Sequence, residues 1–153
     1  MLVVSDTSPI SSLTQIGRAE LLRDLFGVVC VPPAVLAELQ RFHDDIPDFL
    51  EVRPIADQAR VKSLLTTLDL GEAEAIVLAA ECQADYLLMD ERRGRQVATR
   101  EGVPIIGLLG VLLLAKQQHH ILTVKDCVAD LQSKAGFYVT EELLKRILEA
   151  ARE

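Results

Sequence analysis

The sequence predicts an α/β protein with a mainly parallel five-stranded sheet covered by helices on both faces. Three observations carry that prediction. Short apolar runs alternate with longer segments of helical periodicity along the 153 residues, the pattern of repeated strand–helix units. The opening run Leu2-Val3-Val4 is apolar throughout, as a strand buried on both faces must be. Hydrophobic residues make up 50% of the chain, enough for a substantial core, and no repeat, low-complexity tract or flexible linker interrupts the order. A single domain over 1–153 is expected, with a core over about 1–120 and a helical extension over about 121–153.

Residues 2–5 read as the first strand, ending on Asp6-Thr7-Ser8-Pro9. From 13 to 26, Leu13, Ile16, Leu21, Leu22 and Leu25 recur at helical spacing, with a break near Gly17. Val28 to Val31 is a second strand, stopped by Pro32-Pro33. Pro33 suits the first turn of a helix, which runs to about Arg41. His43-Asp44-Asp45 and Pro47 mark a loop before a short third strand within 49–55. Gln58 to Leu65 is weakly amphipathic and helical. Asp69-Leu70-Gly71 leads into 72–80, a strong helix former. Tyr86 to Met89 is the fourth strand, ending on Asp90-Glu91, and Arg92 to Arg100 is a basic helix. Val103 to Ile106 is the fifth strand and Leu108 to Gln118 a helix. Further helices over about 124–133 and 140–151 follow. If the first three strands wind one way and the last two the other, a crevice opens between the first and the fourth. Asp6 and Asp90 then flank a topological switch point, the usual place for a ligand in such sheets.

Composition narrows the function classes. The net charge is −7, so no global polyanion-binding footprint exists, and nucleic-acid contact requires a local basic patch or metal ions. Cys30, Cys82 and Cys127 are far apart and show no zinc spacing; they read as small buried hydrophobes in a reducing compartment. The N-terminus lacks a basic leader, and Asp6 breaks its apolar run. The stretch from Pro104 to Ala115 is shorter than the roughly 20 residues that span a bilayer. A cytoplasmic protein without membrane contact is the expectation.

The acids are the candidate chemistry. Asp6 is as well placed to cap the following helix as to bind a ligand. Thr7 and Ser8 are better caps or supporting donors than nucleophiles, because no His follows to activate them. Helical geometry sets Glu38 at the margin of its helix's apolar stripe. Glu72 and Glu74 open a helix apolar enough to be buried nearly all round, and two positions apart is about 200° of rotation, so only one easily faces the crevice. Asp90 and Glu91 again suit either capping or chemistry. With Asp6 they gather like charges at one sheet edge, a cluster that a divalent cation would relieve. Oxygen ligands without His or Cys favour Mg²⁺ or Mn²⁺ over Zn²⁺. Arg92, Arg93, Arg95 and Arg100 form the basic cluster beside Asp90 and match phosphate geometry; Lys116 could join them. His43, His119 and His120 read as surface residues.

Five pieces occur in a fixed order over nearly the whole chain: Val4-Ser5-Asp6-Thr7-Ser8-Pro9; Val31-Pro32-Pro33-Ala34-Val35-Leu36-Ala37-Glu38-Leu39; Gly71-Glu72-Ala73-Glu74-Ala75-Ile76; Leu87-Leu88-Met89-Asp90-Glu91-Arg92-Arg93-Gly94-Arg95; and Pro104-Ile105-Ile106-Gly107-Leu108-Leu109-Gly110. Together they resemble the PIN-domain nucleases, the fold of many toxin ribonucleases in toxin–antitoxin pairs, and look closest to a branch with this "GEAEA" helix and acidic-arginine turn. The resemblance implies a three-layer α/β/α sandwich with a doubly wound sheet and a Mg²⁺- or Mn²⁺-dependent endoribonuclease acting on RNA. It carries the family's catalytic, metal-binding carboxylates onto Asp6, Glu38, Glu72 and Asp90, with Glu74 and Glu91 as the weaker alternatives. Ser8 and Thr7 then support the ligands, and Arg92, Arg93, Arg95 and Lys116 hold substrate phosphate. A homodimer and an antitoxin partner are implied in the same way. The chain departs from the commonest pattern in having Glu in the third motif and Asp90-Glu91 in the fourth. Two rivals are an inactive PIN-like binding or assembly module and a receiver-like phosphoryl acceptor; the latter leaves Glu38 and Glu72 without a role. A haloacid-dehalogenase-type site is excluded, since Ser8 stands where its second Asp belongs.

Overall fold

A computed structural model describes residues 1–153. Five strands, β1 (Val3–Ser5), β2 (Val29–Val31), β3 (Leu50–Val52), β4 (Tyr86–Leu88) and β5 (Ile105–Ile106), form one sheet in the order β3-β2-β1-β4-β5. Every neighbouring pair is parallel. The chain steps outward from β1 to β3 and then returns to the other side of β1. The switch point therefore falls between β1 and β4, where Val3, Val4 and Ser5 pair with Tyr86, Leu87 and Leu88. One more bond, from Asp6 N–H to the Leu88 carbonyl at 3.0 Å, closes the seam at the C-terminal edge.

Alternation along each strand builds two cores, because successive side chains point to opposite faces. Val3, Val29, Val31 and Leu88 enter one core; Val4, Cys30, Leu87 and Met89 enter the other. The first core is completed by α1 (Thr7–Gln15), α2 (Glu20–Phe26), α7 (Leu108–Gln117) and α8 (Val124–Lys134). The second is completed by α4 (Gln58–Leu64), α5 (Leu70–Glu81) and α6 (Arg92–Arg100). This is the three-layer α/β/α sandwich with a doubly wound parallel sheet that the sequence predicted. Helix α3 (Pro33–Phe42) packs against both α1 and α5, linking the layers beside the switch point. Helix α9 (Glu141–Ala150) packs on α7 without a single buried residue of its own. No helix is long and apolar enough to cross a membrane.

One element begins earlier than the periodicity indicated. Helical structure starts at Thr7, not near Leu13, and Gly17 separates two helices. Thr7-Ser8-Pro9-Ile10-Ser11-Ser12 has weak helix propensity. Burial of Pro9, Ile10 and Leu13 overrides it, and Pro9 sits in the first turn, where its missing N–H costs nothing.

Candidate active site

Asp6 occupies the N-cap position of α1 with extended backbone, yet its side chain makes no capping bond. It is 6% exposed. Burial pushes its pKa from 3.8 to about 7; the Thr7 N–H beside it opposes the shift, while Asp69, Glu38 and Asp90 add to it by repulsion. The carboxylate thus stands in a crowd of acids without being spent on the helix end it begins.

Helix α5 supplies the next two acids. Asp69 and Glu72 form a capping box: Glu72 N–H donates to Asp69 Oδ1 at 2.8 Å, and Asp69 N–H donates to Glu72 Oε1 at 3.2 Å. That bond uses only one oxygen of Glu72. Its Oε2 is buried and has no partner. Burial raises the Glu72 pKa to about 8, with Asp69 and Asp6 adding repulsion. Asp69 was not among the acids singled out in the sequence, although the Asp-x-x-Glu spacing before an apolar helix is a legible capping-box signature. Glu74 turns the other way. It is buried and accepts the Ala34 N–H at 2.9 Å, serving the first turn of α3. The rotation between the two glutamates therefore splits them between the cleft and a helix end.

Glu38 reaches the same cleft from α3. Thr7 Oγ1 donates to Glu38 Oε2 at 2.6 Å. Its other oxygen lies against the first turn of α5, at Gly71. A Cβ on residue 71 would stand 2.5 Å from Glu38 Oε1, so only glycine lets this carboxylate lie there. Asp6, Glu38, Asp69 and Glu72 line one cleft of about 390 Å³, with Thr7 and Ser8 also on its wall.

Asp90 and Glu91 also divide their work. Glu91 caps α6, accepting the Gly94 N–H at 2.9 Å. Asp90 Oδ1 accepts the Leu108 N–H at 2.8 Å, at the start of α7. Burial raises the Asp90 pKa, opposed by that bond and by the Arg95 charge. Arg95 passes over Gly107, where a Cβ would meet its Nη1 at 2.5 Å. Arg92, Arg95 and Arg100 face a hollow that also holds Asp90, whereas Arg93 reaches across to the Thr67 carbonyl at 3.4 Å. Lys116 corrects an expectation. It does not join the arginines; it sits near the far end of α7, roughly 12 Å from Leu108 along a helix rising 1.5 Å per residue. There Nζ bonds Glu153 Oε2 at 2.8 Å and the Ala151 carbonyl at 2.7 Å. His43 also has an internal partner, with Nε2 2.8 Å from the hydroxyl of Ser11 on the cleft wall.

The donor set suits a hard cation. It consists of carboxylate oxygens, it includes one buried oxygen with no partner, and burial raises the pKa of three of its members. The side chains as they stand do not bring three ligands onto one point. Glu72 Oε2 and the Asp6 carboxylate are the groups with bonding capacity to spare.

An acid-lined cleft outside the C-terminal edge of a parallel sheet, at its switch point, defines an α/β protein of the ligand-binding, doubly wound class. The sequence model of a family described as PIN domain matches residues 2–153, and the chain belongs to the PIN-domain family. No curated protein and no solved structure matches it with significance. The PIN fold is a nuclease fold whose members generally use divalent metals.

Proposed function

We propose that this protein is a divalent-metal-dependent endoribonuclease, with Asp6, Glu38, Glu72 and Asp90 as its working acids and Asp69 beside them. The observation that carries the reading is the crowding of buried, partly unsatisfied carboxylates at the switch point. Asp6, Asp90, Glu38 and Glu72 would hold Mg²⁺ or Mn²⁺; when bound, the ion polarises the phosphate and lowers the pKa of a coordinated water. The protein's part is positioning. Thr7 fixes Glu38 by its hydrogen bond, and Gly71 leaves that carboxylate its space. Leu108 N–H fixes Asp90 at the adjoining hollow, leaving its second oxygen without that bond. Ser8 offers a hydroxyl on the cleft wall. Arg95 sets a positive charge next to Asp90, where a substrate phosphate can approach an otherwise acidic protein. Glu72, with its pKa raised to about 8, holds its proton around neutral pH in the metal-free protein.

The test is Asp6→Asn. It should abolish Mn²⁺-dependent cleavage of RNA while leaving the circular dichroism spectrum unchanged; undiminished cleavage sinks the assignment. A second reading, a PIN-like binding module without turnover, draws on the fact that Glu38, Glu72, Asp90 and Glu91 each already accept a bond from their own chain. Calorimetric titration separates the two, since a module without a metal site takes up no Mn²⁺ near millimolar concentration. On the family resemblance, the proposal extends to a cytoplasmic homodimer acting as the toxin of a toxin–antitoxin pair. Its solution mass and co-purification with a small partner are the measurements.

A further inference from the structure

Two rings stand out in a chain poor in aromatics. It has four Phe, two Tyr and no Trp. Phe26 and Phe49 are buried, and Tyr86 and Phe137 are half-buried. Only Phe42, 67% exposed, and Tyr138, 82% exposed, present their rings to solvent. Both border the acidic groove. Phe42 ends α3 one turn after Glu38, on the same side of the helix, and lines the acid cleft. Tyr138 lies between α8 and α9 and lines an adjoining hollow of about 690 Å³, together with Asp90 and Arg95. The two spaces adjoin, sharing Ser8, Ser12, Glu91 and Ala135 as lining residues. Phe42 thus shares its cleft with Asp6, and Tyr138 shares the adjoining hollow with Asp90.

Beyond Asp90 the groove runs on along α6, where Arg92, Arg95 and Arg100 line about 640 Å³ of open space. None of the three forms a salt bridge, in a chain whose acids outnumber its bases. An exposed ring gains by covering its face, and a free guanidinium gains by meeting a phosphate. A strand that alternates flat bases with phosphates satisfies both. A duplex does not, because its base faces are hidden in the stack.

We propose that Phe42 and Tyr138 are stacking platforms for unpaired bases on the two sides of the scissile phosphate, and that Arg92, Arg95 and Arg100 carry the strand's backbone away from it. The inference rests on the ribonuclease reading above and deepens it. It makes recognition dependent on unpaired bases but tolerant of their identity, since every base has a π-face.

The absence of Trp supplies the test. Phe42→Trp and Tyr138→Trp each install a lone fluorescent reporter, in an Asp6→Asn background so that the strand stays intact. Each is titrated with a short oligoadenylate, with binding followed by anisotropy of a label on the strand. Saturable quenching of both reporters is expected, and an abasic strand of equal charge, which loses both stacks, should bind roughly a hundredfold more weakly and quench neither. Binding without quenching, quenching that the abasic strand reproduces, quenching of one reporter alone, or no binding of the oligoadenylate overturns the two-platform arrangement. In the active protein, Tyr138→Leu and Phe42→Leu should each raise KM roughly tenfold with kcat unchanged, and Tyr138→Phe should restore the original value. Failure of the ribonuclease reading shows itself separately, as wild-type protein that leaves long single-stranded RNA intact in Mn²⁺ while the reporters still quench.

Discussion

Replacing Asp6 with Asn should stabilise the metal-free protein at alkaline pH while removing its activity. Asp6 has a folded-state pKa of about 7 against an ordinary 3.8. A carboxyl raised on folding is tolerated while protonated and costs stability as it ionises. The cost is absent below the unfolded value, grows through the interval from 3.8 to about 7, and is complete above it. A rise from 3.8 to about 7 corresponds to ~4 kcal/mol. Asn preserves the shape but leaves a buried amide to satisfy, so a net gain of ~2–4 kcal/mol is expected at about pH 8.5. For a chain of this size that is a rise in Tm of roughly 4–16 °C. At about pH 4 the two proteins should differ by less than ~1 kcal/mol from this source.

Thermal melts by circular dichroism across that pH range, in chelator and in excess Mn²⁺, make the assay. In chelator the gap between variant and wild type should open with rising pH. In Mn²⁺ the wild type should recover, since saturation at a hundredfold excess over Kd is worth ~2.7 kcal/mol, and the variant should respond less. A gap that is independent of pH, or a variant less stable than wild type at alkaline pH, refutes the reasoning. It would mean that the Asp6 carboxylate is satisfied by its own chain and has nothing to gain from a cation.

Three further outcomes follow from the same geometry. Gly71→Ala places a methyl 2.5 Å from Glu38 Oε1; the flexible end of Glu38 can swing aside and Ala favours the helix, so stability should change by no more than ~1 kcal/mol, while Mn²⁺ binding in calorimetry weakens because that carboxylate is displaced. Glu74→Ala leaves the Ala34 N–H without its partner and should lower stability by ~1–3 kcal/mol, with the Mn²⁺ affinity of the folded protein unchanged. Lys116→Met removes the Nζ bonds to Glu153 and to the Ala151 carbonyl and should cost ~1–3 kcal/mol, with RNA cleavage at the wild-type rate.

How much of this was legible depends on what kind of signal each element carries. The sheet was readable because β1, β2 and β4 are short apolar runs bounded by polar or proline breaks and alternate with helices; their order was only a condition in the sequence, and the pairing β3-β2-β1-β4-β5 meets it. Helix α1 was obscured because its first turn is written in Ser, Thr and Pro, and the burial that holds it is a tertiary effect. Asp6 and Asp90 could be brought together from topology alone. Glu72 and Glu74 could be separated in principle by helix rotation, but which one faces the cleft depends on where α3 begins, and Ala34 supplies that answer. Asp69 was passed over although its spacing to Glu72 is that of a capping box; that its charge also bears on Asp6 is set by the packing of α5 against β1. Lys116 was grouped with the arginines by charge alone, although its place near the end of the helix that begins at Leu108 already sets it away from the sheet's C-terminal edge.

The capping roles and the acidic cleft are not competing explanations of the same residues. Asp6 begins α1, Asp69 and Glu72 begin α5, Glu91 begins α6 and Asp90 receives the first N–H of α7. Four helix N-termini therefore meet at the C-terminal edge of the sheet, and each brings unpaired N–H groups and a partial positive charge. Those dipoles offset part of the repulsion that would otherwise make five neighbouring carboxylates prohibitive. They do not make these acids easy to ionise, because burial above all, with repulsion from neighbouring acids added, still holds the pKa values of Asp6 and Glu72 at about 7 and 8. What remains is a deficit of positive charge localised on the two acids with bonding capacity to spare. A cation bound there would complete an electrostatic arrangement that the helix ends leave unfinished, which is why the structural and functional readings of these residues belong together.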